Sequence, residues 1–192
     1  MIRHAHVLPV VCVSVLAVGG LISSAEQAPQ ELPPSPQAVD AMRLLDSSEV
    51  YQQELGFLRL EALREPSTVK TIRRYLDHPN ADVQAYSLRA IAAIQGAPAV
   101  PLLLERLHDR HPTVRRAALL GLEPLQPSSP EILPACIKAL KDRSTDVRIV
   151  AVDIVSRIDD PRAREAIHRR QTDERRRDVR RVLKMASKRI EP

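Results

Sequence analysis

Apolar residues recur at helical spacing along most of the chain, and one short pattern is written several times. Val83, Leu88, Ile91 and Ile94 form one stripe, Val114, Ala117, Ala118 and Leu122 a second, and Val147, Val150, Ala151 and Ile154 a third. Offsets from the leading valine of 5, 8 and 11 residues, of 3, 4 and 8, and of 3, 4 and 7 place each set on one face of an amphipathic helix. The leading valines, continued by Val179, lie 31, 33 and 32 residues apart. A fixed period of that length marks a repeat architecture, in which each unit buries its apolar face against its neighbours.

The polar positions keep the same register. An acid stands five residues before three of the valines, as Asp109, Asp142 and Glu174, and an arginine follows each, as Arg115, Arg148 and Arg180. The first copy departs, with His78 and Gln84 in those places. Asn80, His111 and Ser144 stand where a helix cap is expected, and Asp82 and Asp146 follow in the first turn, where a carboxylate meets free amides. A second helix follows each of these after a proline: Pro98 to Leu107, Pro130 to Leu140 and Pro161 to Arg170. Proline suits a first helical turn because its missing donor is not needed there. Residues 55 to 76 fit the frame as a degenerate first unit, with Phe57, Leu60 and Leu63 on one helix and Val69, Ile72 and Leu76 on the next. At the other end, Val179, Val182, Leu183, Ala186 and Ile190 give a last helix one apolar side, as a terminal cap requires.

This pattern resembles the HEAT repeat, specifically the short HEAT-like type of the phycobilisome-lyase kind, over about residues 44 to 190. The specific part is the acid, four residues, valine and arginine at Asp109, Val114 and Arg115, repeated at Asp142, Val147 and Arg148. The resemblance implies an all-α solenoid of about four helical hairpins plus a C-terminal capping helix. It also implies a hydrogen-bonded ladder between repeats, built from Asp109, Arg115, Asp142, Arg148, Glu174 and Arg180. Lastly, it implies a concave side lined by the second helix of each hairpin. A near absence of aromatics, one Phe and three Tyr with no Trp, agrees with an interior of small aliphatic side chains.

The N-terminal region reads differently. Residues 3 to 25 pass from a basic start through an apolar core to small residues, the layout of a secretory signal peptide, with cleavage expected after Ala25. An uncleaved membrane anchor is the alternative, but it needs about 20 apolar residues, and this core is shorter and interrupted by Pro9, Gly19 and Gly20. Residues 26 to 40, with prolines at 29, 33, 34 and 36, read as a semi-extended spacer, which leaves 41 to 192 as the repeat domain. Cys12 lies within the apolar core, so Cys136 is the one cysteine of the expected mature chain and an internal disulfide is excluded.

Chemistry is sparse. His78, His108, His111 and His168 are scattered near turns and helix ends, and no two have the spacing that aims both imidazoles at one metal. No metal or cofactor is expected. The superfamily's di-iron hydroxylases use histidine-glutamate dipeptides, which this sequence lacks, and there is no glycine-rich phosphate loop or nucleophile elbow. A divergent HEAT-like enzyme is thus the third-ranked reading. Charge is uneven: residues 162 to 190 carry a net of +8 and residues 26 to 161 a net of −3. Arg175, Arg176, Arg177, Arg180 and Arg181 could therefore meet an anionic polymer or a membrane surface, although no aromatic interrupts the run to stack on bases, which argues against nucleic acid.

The sequence reading is an exported, non-catalytic protein-binding module or scaffold. Its partner is expected to be another protein or peptide, held in the groove of the second helices. Positions there that fall off the apolar stripes are Arg74, Glu105, Arg106, Lys138 and Lys141. Partner identity and oligomeric state are not written in the sequence.

Overall fold

The computed structural model describes residues 32–128 and 130–190. The expected signal segment, 1–25, and the start of the spacer lie outside the described residues. Ten α-helices joined by short 3₁₀ turns are found among the described residues: α1 Pro36–Leu45, α2 Val50–Leu63, α3 Val69–Ile72, α4 Ala81–Gln95, α5 Val100–Arg106, α6 Pro112–Leu122, α7 Ile132–Ala139, α8 Thr145–Val155, α9 Pro161–Asp173 and α10 Arg177–Ile190. They form four hairpins, α2 with α3, α4 with α5, α6 with α7 and α8 with α9. An extra helix, α1, stands before the first hairpin, and α10 follows the last.

The start of the domain corrects the sequence reading. Residues 36 to 40 belong to α1 and not to a spacer. Ser35 caps the helix by accepting a hydrogen bond from the Ala38 amide, Pro36 occupies the first helical turn, and Ser35 N–H donates to Glu65 at 2.9 Å. Its buried side is Ala38, Ala41 and Leu45. Gly56 lets α1 and α2 approach, since a Cβ there would lie 2.7 Å from Leu45 Cδ2 and 2.9 Å from the Ala41 carbonyl oxygen. Leu63, expected inside, is exposed in the last turn of α2, where Arg64 enters the left-handed region at φ 54° and ends the helix.

Elsewhere most of each stripe becomes core, with Ile94, Val150, Val182 and Ile190 only half-buried at its edge. Val83, Leu88, Ile91, Val114, Ala117, Ala118, Leu122, Val147, Ala151 and Ile154 are buried, as are Val179, Leu183 and Ala186 of α10. One aromatic pair enters this aliphatic interior, Phe57 against Tyr75 edge to face at 5.4 Å. Alanines at facing positions keep the helices close, and Gly121 of α6 serves the same end against Leu103 and Ala92. Gly96 closes α4 at φ 63°, a backbone conformation that glycine adopts without steric cost.

The ladder and a candidate interaction cleft

Each inter-repeat turn is tied by the side chain five residues before the anchoring valine. Asp109 Oδ1 accepts from the His111 amide at 2.7 Å, Asp142 Oδ1 from the Ser144 amide at 2.7 Å, and Glu174 Oε1 from the Arg176 amide at 2.8 Å. In the first copy His78 Nδ1 accepts from the Asn80 amide at 3.1 Å. Of the expected caps, Asn80 accepts from the Asp82 amide, whereas His111 and Ser144 make no side-chain cap bond. The preceding acid bonds the amide of the cap residue itself, not an amide of the first turn.

The same acids hold the arginines. Arg115 grips Asp142 through two bonds of 2.8 and 2.7 Å and donates to the Asp109 carbonyl at 2.8 Å. Arg148 repeats this one unit on, to Glu174 at 2.9 and 3.2 Å and to the Asp142 carbonyl at 2.9 Å. Both guanidiniums are buried, and Glu174 is further bonded by Arg170. A bidentate, charge-assisted geometry of this kind suits a buried ion pair because it also satisfies the carboxylate's lone pairs. Burial pushes the Asp142 carboxyl up, but the Arg115 bond and the Ser144 amide outweigh it and the net direction is downward. Glu174 goes the same way, to about 2.

Two members of the ladder have no signal in the acid-and-arginine motif. Gln53 and Gln84 occupy the arginine position in the first two hairpins, both buried, donating to the Leu45 carbonyl at 3.1 Å and to the His78 carbonyl. The amide reaches the turn of its own unit but carries no charge for a neighbour's acid. Asp109 is met instead by Arg106 of its own hairpin at 3.8 Å. Arg180, at the far end, is exposed and has no ion-pair partner among the described residues.

Between α5 and α7 lies an open cleft of about 570 Å³. Leu104 and Leu107 form one wall, Pro134, Ala135 and Ala139 the other, and Arg115 with Asp142 forms part of the lining. The space arises because α7 presents small side chains toward the leucines of α5. His108, Lys138 and Lys141 complete the lining, with Lys138 Nζ 3.2 Å from His108 Nε2. Of the five groove positions drawn from the sequence, Lys138 and Lys141 meet here. Arg74 and Glu105 are exposed elsewhere, and Arg106 turns away to bond Asp77 at 3.1 Å and the Leu76 carbonyl at 3.3 Å. The apolar walls were not foreseen, because Leu104, Pro134 and Ala135 read as packing residues until helix spacing is known.

Among the described residues no three His, Cys, Asp or Glu side chains cluster as metal ligands, and no helix is long and apolar enough to cross a membrane. Arg175, Arg176, Arg177, Arg180 and Arg181 are all exposed. In the repeat frame Arg181 and Lys184 replace Ile149 and Val152 of α8, so the outer side of α10 is cationic where a further apolar repeat would have to pack.

Known proteins share this architecture. The family model for HEAT repeats matches residues 36–123 and 100–188. The solved structure of the complex of CpcE and CpcF of phycocyanin lyase from Nostoc sp. PCC7120 is 22% identical, covering 78% of this chain and 96% of that one with a TM-score of 0.62. The Escherichia coli protein YibA is 18% identical, covering 80% of this chain and 61% of that chain, with a TM-score of 0.57. A designed armadillo repeat protein in complex with the peptide (KR)4 is 13% identical, with coverage of 81% and 82% and a TM-score of 0.52. No curated protein matches the sequence. With the repeat frame, the ladder and a family match running through nearly all of the described helices, this chain belongs to the HEAT-repeat family.

Proposed function

We propose that the protein is an exported, non-catalytic interaction module that holds a segment of another protein in the cleft between α5 and α7. The observation that carries this is the cleft itself, which joins apolar walls to a floor made rigid by a buried ion pair. Sites for protein segments combine an apolar pocket that anchors a side chain with a few fixed polar groups that set orientation. Two neighbours lend support by analogy: CpcE is found with CpcF, and the designed armadillo protein with a basic peptide. Here the rim is basic, through Lys138 and Lys141, so the preferred segment carries an apolar side chain flanked by acid. The apolar N-terminal segment supports export. The separation of the histidines supports a binding role over catalysis.

Filling the cleft tests the reading. Ala135→Trp should abolish capture of the wild-type partner from an envelope extract while leaving helical content and melting temperature unchanged. Retention of the same partner by the filled variant would remove the cleft as the site.

A second reading, contact of the C-terminal end with an anionic polymer or membrane surface, is favoured by one observation. None of the five arginines from 175 to 181 has an ion-pair partner among the described residues. Replacing Arg175, Arg176 and Arg177 together by Gln would then cause a salt-sensitive loss of binding. If α10 only ends the stack, partner binding and folding stay as they are.

A further inference from the structure

The outward side of α2 differs from that of the helices that follow it. Tyr51, Leu55 and Leu58 are 65%, 40% and 43% exposed, and Ala62 is exposed beside them. Their spacing of four, three and four residues sets them in a single straight line along the helix. The matching positions of α4 are Asp82, Tyr86, Arg89 and Ala93, and those of α8 are Asp146, Val150, Asp153 and Arg157. On α6 buried Ala117 interrupts the line and leaves Leu120 alone. Charge thus keeps this surface wet on α4 and α8, whereas α2 carries none on its line.

The line is also self-complementary. If two α2 helices lie antiparallel about a dyad between Gly56 and Phe57, Tyr51 falls opposite Ala62 of the other copy and Leu55 opposite Leu58. The largest side chain then meets the smallest, and the two leucine pairs meet at the centre. One flank is already neutralised, because Glu61 pairs with Arg89 at 3.2 Å. An isologous contact needs one patch that satisfies itself in this way.

We propose that α2 is a self-association surface on which a second copy of this chain packs its own α2 antiparallel. The four side chains expose roughly 350 Å² per copy, the size of a functional surface patch. That is less than half of the roughly 800 Å² per partner of a stable complex, so the dimer is reversible and forms as the protein concentration rises. The surface is separate from the cleft between α5 and α7, and its test does not depend on that site.

Sedimentation velocity of the full chain from about 5 to about 500 µM should show a monomer converting to a dimer. Leu55→Glu, at a solvent-facing position, should hold the protein monomeric across that range with an unchanged melting temperature. Register is read by disulfide trapping in a Cys12→Ser background, where Cys136 is buried and stays silent. The Tyr51→Cys and Ala62→Cys chains should cross-link when mixed and not separately, since like positions would lie about 16 Å apart along antiparallel helices. A wild-type chain that stays monomeric throughout, a dimer that survives Leu55→Glu, or cross-linking of either cysteine chain with itself alone would each overturn the proposal.

Discussion

Asp142 carries two tasks with one carboxylate, closing its own turn through the Ser144 amide and receiving Arg115 from the preceding hairpin. Removing it leaves a guanidinium that is 4% exposed without its counter-charge. Asp142→Ala should therefore cost about 3 kcal/mol. Asp159→Ala, which removes a side chain that is 98% exposed, should stay within about 0.5 kcal/mol, and equal melting temperatures for the two would deny the ladder its structural weight. Glu174 supplies a pH test. Burial raises its pKa, but the Arg176 amide and the Arg148 and Arg170 guanidiniums prevail and bring it from 4.5 to about 2. A carboxylate depressed on folding stabilises above its unfolded pKa and loses that contribution as pH falls through the folded value. Stability should thus fall between pH 4.5 and about 2, by on the order of 2–3 kcal/mol. Glu174→Gln should flatten the melting-temperature profile across that window. The exposed Glu165→Gln should not.

At the scale of helices, close approach decides. The Gly56 Cβ position faces the Ala41 carbonyl oxygen at 2.9 Å, a backbone atom that cannot swing aside as a side chain can. Gly56→Ala gains about 1 kcal/mol of helix propensity, yet it should destabilise by about 2 kcal/mol overall as α1 is pushed off α2. A higher melting temperature in thermal unfolding would show that α1 is free to shift. The same contact explains what the sequence could and could not reveal. Stripes such as Val114 to Leu122 were legible because burial repeats with the helical period, and the acid and arginine were legible because they repeat with the unit. α1 was hidden because Ser35 and Pro36, a cap and a first turn, have the composition of a spacer. Gln84 was visible only as a departure from the motif and Gln53 was hidden, because an amide donor shares the geometry of the arginine and not its charge. The cleft was hidden because it depends on the distance between α5 and α7, a property of neither helix alone.

For the stack as a whole, Gln53 and Gln84 put neutral amides at the arginine position of the earlier units, whose charged links are Arg106 to Asp77 and Arg89 to Glu61. The bidentate rungs from Arg115 to Asp142 and from Arg148 to Glu174 join the later units. Cys136 sits on α7 within the stretch those rungs span, fully buried. Burial, with the nearby negative charge of Glu123, pushes its thiol up to about 12. The reactive species is the thiolate, so a closed stack offers an alkylating reagent almost nothing to attack. The thiol thereby becomes a clock for transient opening of this region. Its labelling rate under native conditions counts excursions that no equilibrium melt can see. Loss of the Asp142 rung should quicken that clock about a hundredfold, the kinetic equivalent of roughly 3 kcal/mol. An unchanged rate would mean that α7 opens independently of the ladder on either side of it.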